Sequence, residues 1–106
     1  MRNISGILLA ACLLLPSLAS CSSVTPHENF MAHMSSKIGM SIDSPPKVTG
    51  INPERLISSS ILRNRNFENG YRYRGTCQYF FEIDQQTRKI VGWRFEGSER
   101  DCEIAP

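Results

Sequence analysis

The sequence predicts a small α+β fold in two layers: one N-terminal amphipathic helix packed on a three-stranded antiparallel meander. Three observations predict it. Phe30, Met31, Met34 and Ile38 recur at helical spacing. From Tyr71 to Ile83 the side chains alternate with a period of two. A second alternating run, Val91, Trp93 and Phe95, follows a polar turn. The chain has 106 residues, 41% of them hydrophobic, which allows one domain. Twelve Lys and Arg against ten Asp and Glu give a net charge of +2, too weak to argue for nucleic acid or an anionic surface.

The first twenty residues read as an address. Arg2 supplies a positive charge, Ile7 to Leu15 is an uninterrupted apolar run, Pro16 breaks it, and small residues follow. That order is a secretory signal peptide, and the run is shorter than the roughly 20 apolar residues a membrane span needs. Its removal from the 106 residues leaves 86, with mean hydropathy no longer inflated by the leader, and Arg2 goes with it. A domain of that size buries only about 60–65% of its unfolded surface and gains from a covalent staple.

Each element has its own justification. Residues 21–26, Cys-Ser-Ser-Val-Thr-Pro, form a short polar tether, and the domain proper is expected over 27–106. The helix is expected over Glu28 to Gly39, with Lys37 in its last turn and Gly39 as C-cap. Ser44-Pro45-Pro46 stops any direct continuation, leaving loop as far as Pro53. Leu56 to Phe67 reads as either strand or short helix, and as a strand it completes the meander. Asn69-Gly70 gives a turn signal. Beyond it, Tyr71, Tyr73, Cys77, Tyr79, Phe81 and Ile83 face one way. Arg72, Arg74, Thr76, Gln78, Glu82 and Asp84 face the other, with Phe80 the exception, and Gly75 marks a bend or bulge. Gln85-Gln86-Thr87-Arg88 is the turn into Val91–Phe95. The expected core is Phe30, Met34 and Ile38 against Tyr79, Phe81 and Trp93.

Cys12 lies in the leader, and Cys77 and Cys102 lie well inside the mature chain, in a compartment where disulfides persist. One intramolecular pairing is available to them. Zinc-like spacing with further Cys or His ligands is lacking.

Few constellations carry chemistry. His27, Met31, His33, Met34 and Met40 are a His/Met set of the kind soft copper sites use, although Met31 and Met34 also belong to the apolar stripe. Arg72, Arg74 and Arg94 are expected on the solvent face of the sheet with Glu82, Asp84 and Glu96, either as cross-strand ion pairs or as an interaction face in which Phe80 is exposed. Ser58-Ser59-Ser60 lacks the glycines of a nucleophile elbow. The acidic residues of the hairpin and tail match no metal loop, and neither histidine has a Ser or Cys partner at a readable spacing. An enzyme is not expected, and neither is a cofactor or a resident metal.

Leu18-Ala19-Ser20-Cys21 resembles the lipobox of bacterial lipoproteins. The resemblance implies cleavage before Cys21, acylation through its thiol and at its new amino group, and a lipid anchor, which takes Cys21 out of the count and leaves Cys77 and Cys102 to form one structural disulfide. Ser22 in the following position implies outer-membrane sorting. A lipid tether, a short helix, Gly39-Met40-Ser41 and a meander resemble the small outer-membrane assembly lipoproteins of the BamE (SmpA/OmlA) kind, although Ser44-Pro45-Pro46 interrupts the stretch where that family has a second helix. Together these imply a periplasm-facing, outer-membrane-anchored accessory or protein-binding module whose partner is an envelope protein. An inhibitor or immunity-type binder of an envelope or wall-degrading enzyme is the alternative expectation, and a copper-binding lipoprotein the third.

Overall fold

The structure, a computed structural model, describes residues 23–106. It is an α+β domain, with one principal helix against a four-stranded antiparallel sheet. The leader, Cys21 and the first residues of the tether lie outside the described residues.

Helix α1 spans Pro26–Ser35, two residues earlier at its start and four earlier at its end than the apolar spacing suggests. Thr25 fixes the start through a capping box. Its hydroxyl accepts from the Glu28 amide, and the Glu28 carboxylate accepts from the Thr25 amide, each at 3.0 Å. Thr25 and Pro26 therefore belong to the helix rather than the tether. At the other end the chain turns through Gly39, with φ 95°, so Ile38 lies off the helix and is exposed rather than in the core. Ser44-Pro45-Pro46 does not lead into plain loop. Pro46–Thr49 makes a single helical turn, α2, which Gly50 ends in the left-handed conformation. The buried Lys37 stem runs beneath this turn, its Nζ 2.9 Å from where a Cβ at Gly50 would sit.

Four strands form the sheet, in the order β1 (Leu56–Ile61), β2 (Phe67–Arg72), β3 (Gln78–Ile83) and β4 (Ile90–Glu96). This corrects the three-strand expectation in two places. The alternating run from Tyr71 to Ile83 is not one strand but the end of β2, a tight turn and β3. Arg74, Gly75 and Thr76 make that turn, with Gly75 at φ 50°, closed by bonds from Tyr73 N to Cys77 O and from Cys77 N to Arg74 O. A three-residue loop carries the alternation across unchanged, so the period of two shows no break where the chain reverses. The turn before β2 is likewise not at Asn69-Gly70. It is Arg63-Asn64-Arg65, with Leu62 N donating to Asn66 O at 2.8 Å and Arg65 at φ 73°. An arginine fills the left-handed position that glycine or asparagine usually signals.

The facing read from the sequence holds from Tyr71 to Ile83 but not at the start of β4, where a register shift beside Glu82 and Ile83 leaves Val91 unpaired and exposed and buries Ile90 in its place. Tyr71, Cys77, Tyr79, Phe81 and Ile83 are buried on the helix side, joined by Ile51 and Ile90 from the flanking segments. Phe30 projects from α1 into this layer, its ring centroid 5.5 Å from Tyr73 and 6.2 Å from both Trp93 and Phe95. Trp93 is only half-buried, and its indole N–H donates to Ser35 Oγ. The C-terminal tail closes the layer from the side. Ile104 N donates to Pro26 O, Asn29 Nδ2 donates to Ile104 O, and the Tyr73 hydroxyl donates to Glu103 O.

Candidate functional site

Cys77 sits at the turn before β3 and Cys102 in the tail. Both are fully buried, with their sulfurs at disulfide distance and their Cα atoms 5.2 Å apart. Asp101, next to Cys102, accepts from both the amide and the hydroxyl of Thr76, next to Cys77, at 2.7 Å each. Those bonds hold its carboxyl below the usual carboxylate range. Tail and β2–β3 turn are thus pinned by adjacent covalent and charged contacts.

Arg74 belongs to this pin and not to the sheet face expected for it. Its guanidinium donates to the carbonyls of Asp101 and Arg100 and to Glu103 Oε1. The reason is the turn: once the chain reverses at Gly75, Arg74 leaves the strand and faces the tail.

Arg72 and Arg94 do lie on the outward face, with Gly70, Phe80 and Glu68. Phe80, however, is buried, at 8% exposure. Gly70 lies directly across from it in β2 and leaves its ring room: a Cβ at Gly70 would come within 2.6 Å of the Phe80 ring. Arg94 roofs the ring from β4, its guanidinium carbon 3.9 Å from the centroid. Arg94 also reaches diagonally across β3 to bind Glu68 through two parallel bonds of 2.9 Å and holds Glu96 at 2.6 Å. Both carboxylates push the Arg94 pKa upwards. Glu82 accepts from the side-chain amides of Asn64 and Asn66, which lower its carboxyl. Asp84 organises the β3–β4 turn through Gln86 and Thr87. The outward face is therefore largely satisfied internally, and docking there would displace pairs already made.

His27 packs edge-on against Phe95, its Nδ1 donating to the Cys102 carbonyl at 2.7 Å. Met34 is buried and Met31 packs against the core, while His33 is exposed. The methionines thus serve as core filler. Among the described residues, no three or more His, Cys, Asp or Glu side chains gather as a metal site, and no helix is long and apolar enough to cross a membrane.

The feature that the residue patterns did not single out is β1. All six of its residues are exposed, Ile61 at 72%, and nothing among the described residues pairs with its outer edge. The other edge strand differs: Gly39 to Ile42 runs along the start of β4, with Gly39 N bonded to Ile90 O and Ile90 N to Met40 O. The outward groups of β1 can be assigned. Leu62 and Asn66 form a hydrogen-bonded pair, and antiparallel pairs alternate, so Ser60 and Ser58 bond to β2. The N–H and C=O of Ser59 and Ile61 therefore point to solvent. Beside them, on the helix side of the sheet, opens a cleft of about 400 Å³ lined by Ser59, Ile61, Phe67, Asn69, Ile83 and Arg88. Arg88 leans over the Phe67 ring and is held by Asp43 through two bonds. A signal was present in the sequence: Leu-Ile-Ser-Ser-Ser-Ile has neither a charge nor a proline, the usual guards of an edge strand.

Compared with protein-family models, curated proteins and solved structures, the chain matches none.

Proposed function

We propose that the chain is a non-enzymatic lipoprotein, anchored by acylated Cys21 in a bacterial outer membrane and facing the periplasm, where its domain binds another envelope protein. The observation that carries this reading is the order of the first twenty-one residues: Arg2, an uncharged apolar run, a proline, and Leu18-Ala19-Ser20-Cys21. Two acyl chains carried on a single glyceryl group bonded to the thiol sulfur, with a third on the amino group, would exceed what a stable anchor requires. A cysteine pair at disulfide distance agrees with an oxidising compartment. The small α1-on-sheet domain, resembling the assembly lipoproteins named above, presents an open strand edge on which a partner's chain can pair. That edge serves equally an inhibitor or immunity-type binder of a wall-degrading enzyme, the second reading.

Fractionation with and without globomycin, combined with palmitate labelling, tests the anchor. A lipid-labelled outer-membrane protein whose processing the drug blocks is the expected result. A processed, soluble product indifferent to the drug refutes it. Crosslinking followed by pull-down from membranes separates the two binders, through recovery of barrel-assembly subunits or of a hydrolase.

A further inference from the structure

We infer that the open edge of β1 is a docking strand for an extended, acidic segment of a partner protein, which adds to the sheet beside Ser59 and Ile61 and lays one apolar side chain into the adjoining cleft. The inference rests on the binding-module reading above and names the chemistry of its partner.

Three observations meet at this strand. The first is the edge itself: Ser59 and Ile61 offer outward N–H and C=O groups in strand geometry, which an extended chain satisfies by main-chain hydrogen bonds whatever its sequence. The second is the cleft. An added strand places alternate side chains on the helix side of the sheet, and there the floor is Phe67 and Ile83, walled by Arg88. α1 covers the sheet near β4 and leaves this part open. The third is charge. Arg55 precedes β1, Arg63 and Arg65 follow it, and Glu54 is the single acidic residue over 54–66. None of these three arginines has an ion-pair partner among the described residues, a state shared only by Arg72 and Arg100 among the described arginines, and Arg55 is engaged solely by the Tyr73 carbonyl, at 2.8 Å. Acidic residues flanking the incoming segment complete them.

The same charges argue against a second copy of this chain as occupant. Antiparallel self-pairing centred on Ser59 sets Arg55 opposite Arg63, and centred on Ser60 it sets Arg55 opposite Arg65. Like charges directly across a strand pair are destabilising. β1 thus carries no guard of its own, while its flanks repel its own kind and attract acidic chains.

The test uses the full-length chain in mild detergent and two capped peptides. One is Asp-Glu-Val-Thr-Val-Thr-Val-Thr-Glu-Asp, and the other has lysine at each acidic position. Hydrogen exchange read by mass spectrometry should slow in fragments covering Leu56–Ile61 with the acidic peptide. Binding of the lysine peptide should be weaker on the order of tenfold, as several exposed attractions become repulsions. Ser59→Pro removes an outward N–H and no rung of the β1–β2 ladder, so it should abolish protection while exchange in β2–β4 stays as it was. Arg63→Glu should narrow or reverse the preference between the peptides without touching the ladder. Unchanged exchange in β1, or equal protection by both peptides, overturns the proposal. So does a doubled mass in light scattering with β1 protected before any peptide is added. In the membrane pull-down, recovery of the same partner by wild type and Ser59→Pro overturns the edge alone, while recovery of none by either overturns the binding-module reading itself.

Discussion

Gly70→Ala should destabilise the protein, and should cease to do so once Phe80 is removed. The backbone at Gly70 is ordinary strand and accepts alanine, so only space is at issue. The new Cβ would lie 2.6 Å from one ring carbon of Phe80 and 2.8 Å from the next. Carbon atoms rest comfortably about 3.5–4.0 Å apart, so the ring must withdraw by about 1 Å. It cannot do so freely, because Arg94 lies 3.9 Å above it and is bound to Glu68 through two hydrogen bonds. Overpacking of this kind costs about 1–3 kcal/mol. Relief of the strand glycine's entropic cost returns about 0.5–1 kcal/mol. The net loss is about 1–2 kcal/mol, or roughly 4–15 °C in Tm for a domain of this size. Phe80→Ala alone should cost about 3 kcal/mol, the low end for a buried phenylalanine, since Arg94 can settle into the space. In that background Gly70→Ala meets only Ser58 Oγ, an exposed hydroxyl that can rotate away, and should be neutral or stabilising by about 0.5 kcal/mol. The coupling between the two sites is then about 2 kcal/mol. Denaturant unfolding of the four proteins, disulfide intact and m-values compared, measures it. Equal cost of Gly70→Ala in both backgrounds, within about 0.5 kcal/mol, would refute the packing assigned to this face.

Three further outcomes are expected. Replacing both Cys77 and Cys102 by serine should remove about 3 kcal/mol on the chain-entropy account of a 25-residue separation, and intact-mass analysis after alkylation should find neither thiol free in the folded protein. Thr25→Ala should cost about 1 kcal/mol and speed amide exchange in the first turn of α1, since the hydroxyl that caps Glu28 N is lost. Stability should fall at both extremes of pH, for different groups. Asp43, held low by Arg88, Asp101, held low by Thr76, and Glu82, held low by Asn64 and Asn66, favour folding above their unfolded values near 4, a contribution lost as pH falls through their lower folded values. Burial raises Tyr71 and Tyr79, so their contribution is complete below about pH 10 and is lost as pH rises through the folded values. Tm measured across the pH range, with a flat profile at either end, would contradict the corresponding set.

Local features of the sequence were read where local chemistry decides the structure. The period of two placed Tyr79, Phe81 and Ile83 inward correctly, because pleating fixes side-chain direction whatever the strand pairs with. The cysteine pairing came from the lipobox resemblance, which takes Cys21 out of the count, and the structure places Cys77 and Cys102 at disulfide distance. The helix boundaries moved because a capping box at Thr25 and Glu28 sets the start, and apolar spacing alone does not register it. The missing strand break has the same character: a three-residue loop between Tyr73 and Cys77 preserves parity, so the pattern ran on through a reversal.

By itself, then, the sequence determined the α+β class, the inward face of the sheet and the leader-like order of its first residues. Each depends on neighbours in the chain. Only the tertiary structure decided that Phe80 is buried, that Arg74 holds the tail, and that β1 has no partner on its outer edge. Those outcomes depend on residues brought from other strands, such as Gly70 beneath one ring, Arg94 above it, and Asp101 beside Thr76. Such meetings are set by register and turn geometry, and a pattern read along one strand does not contain them.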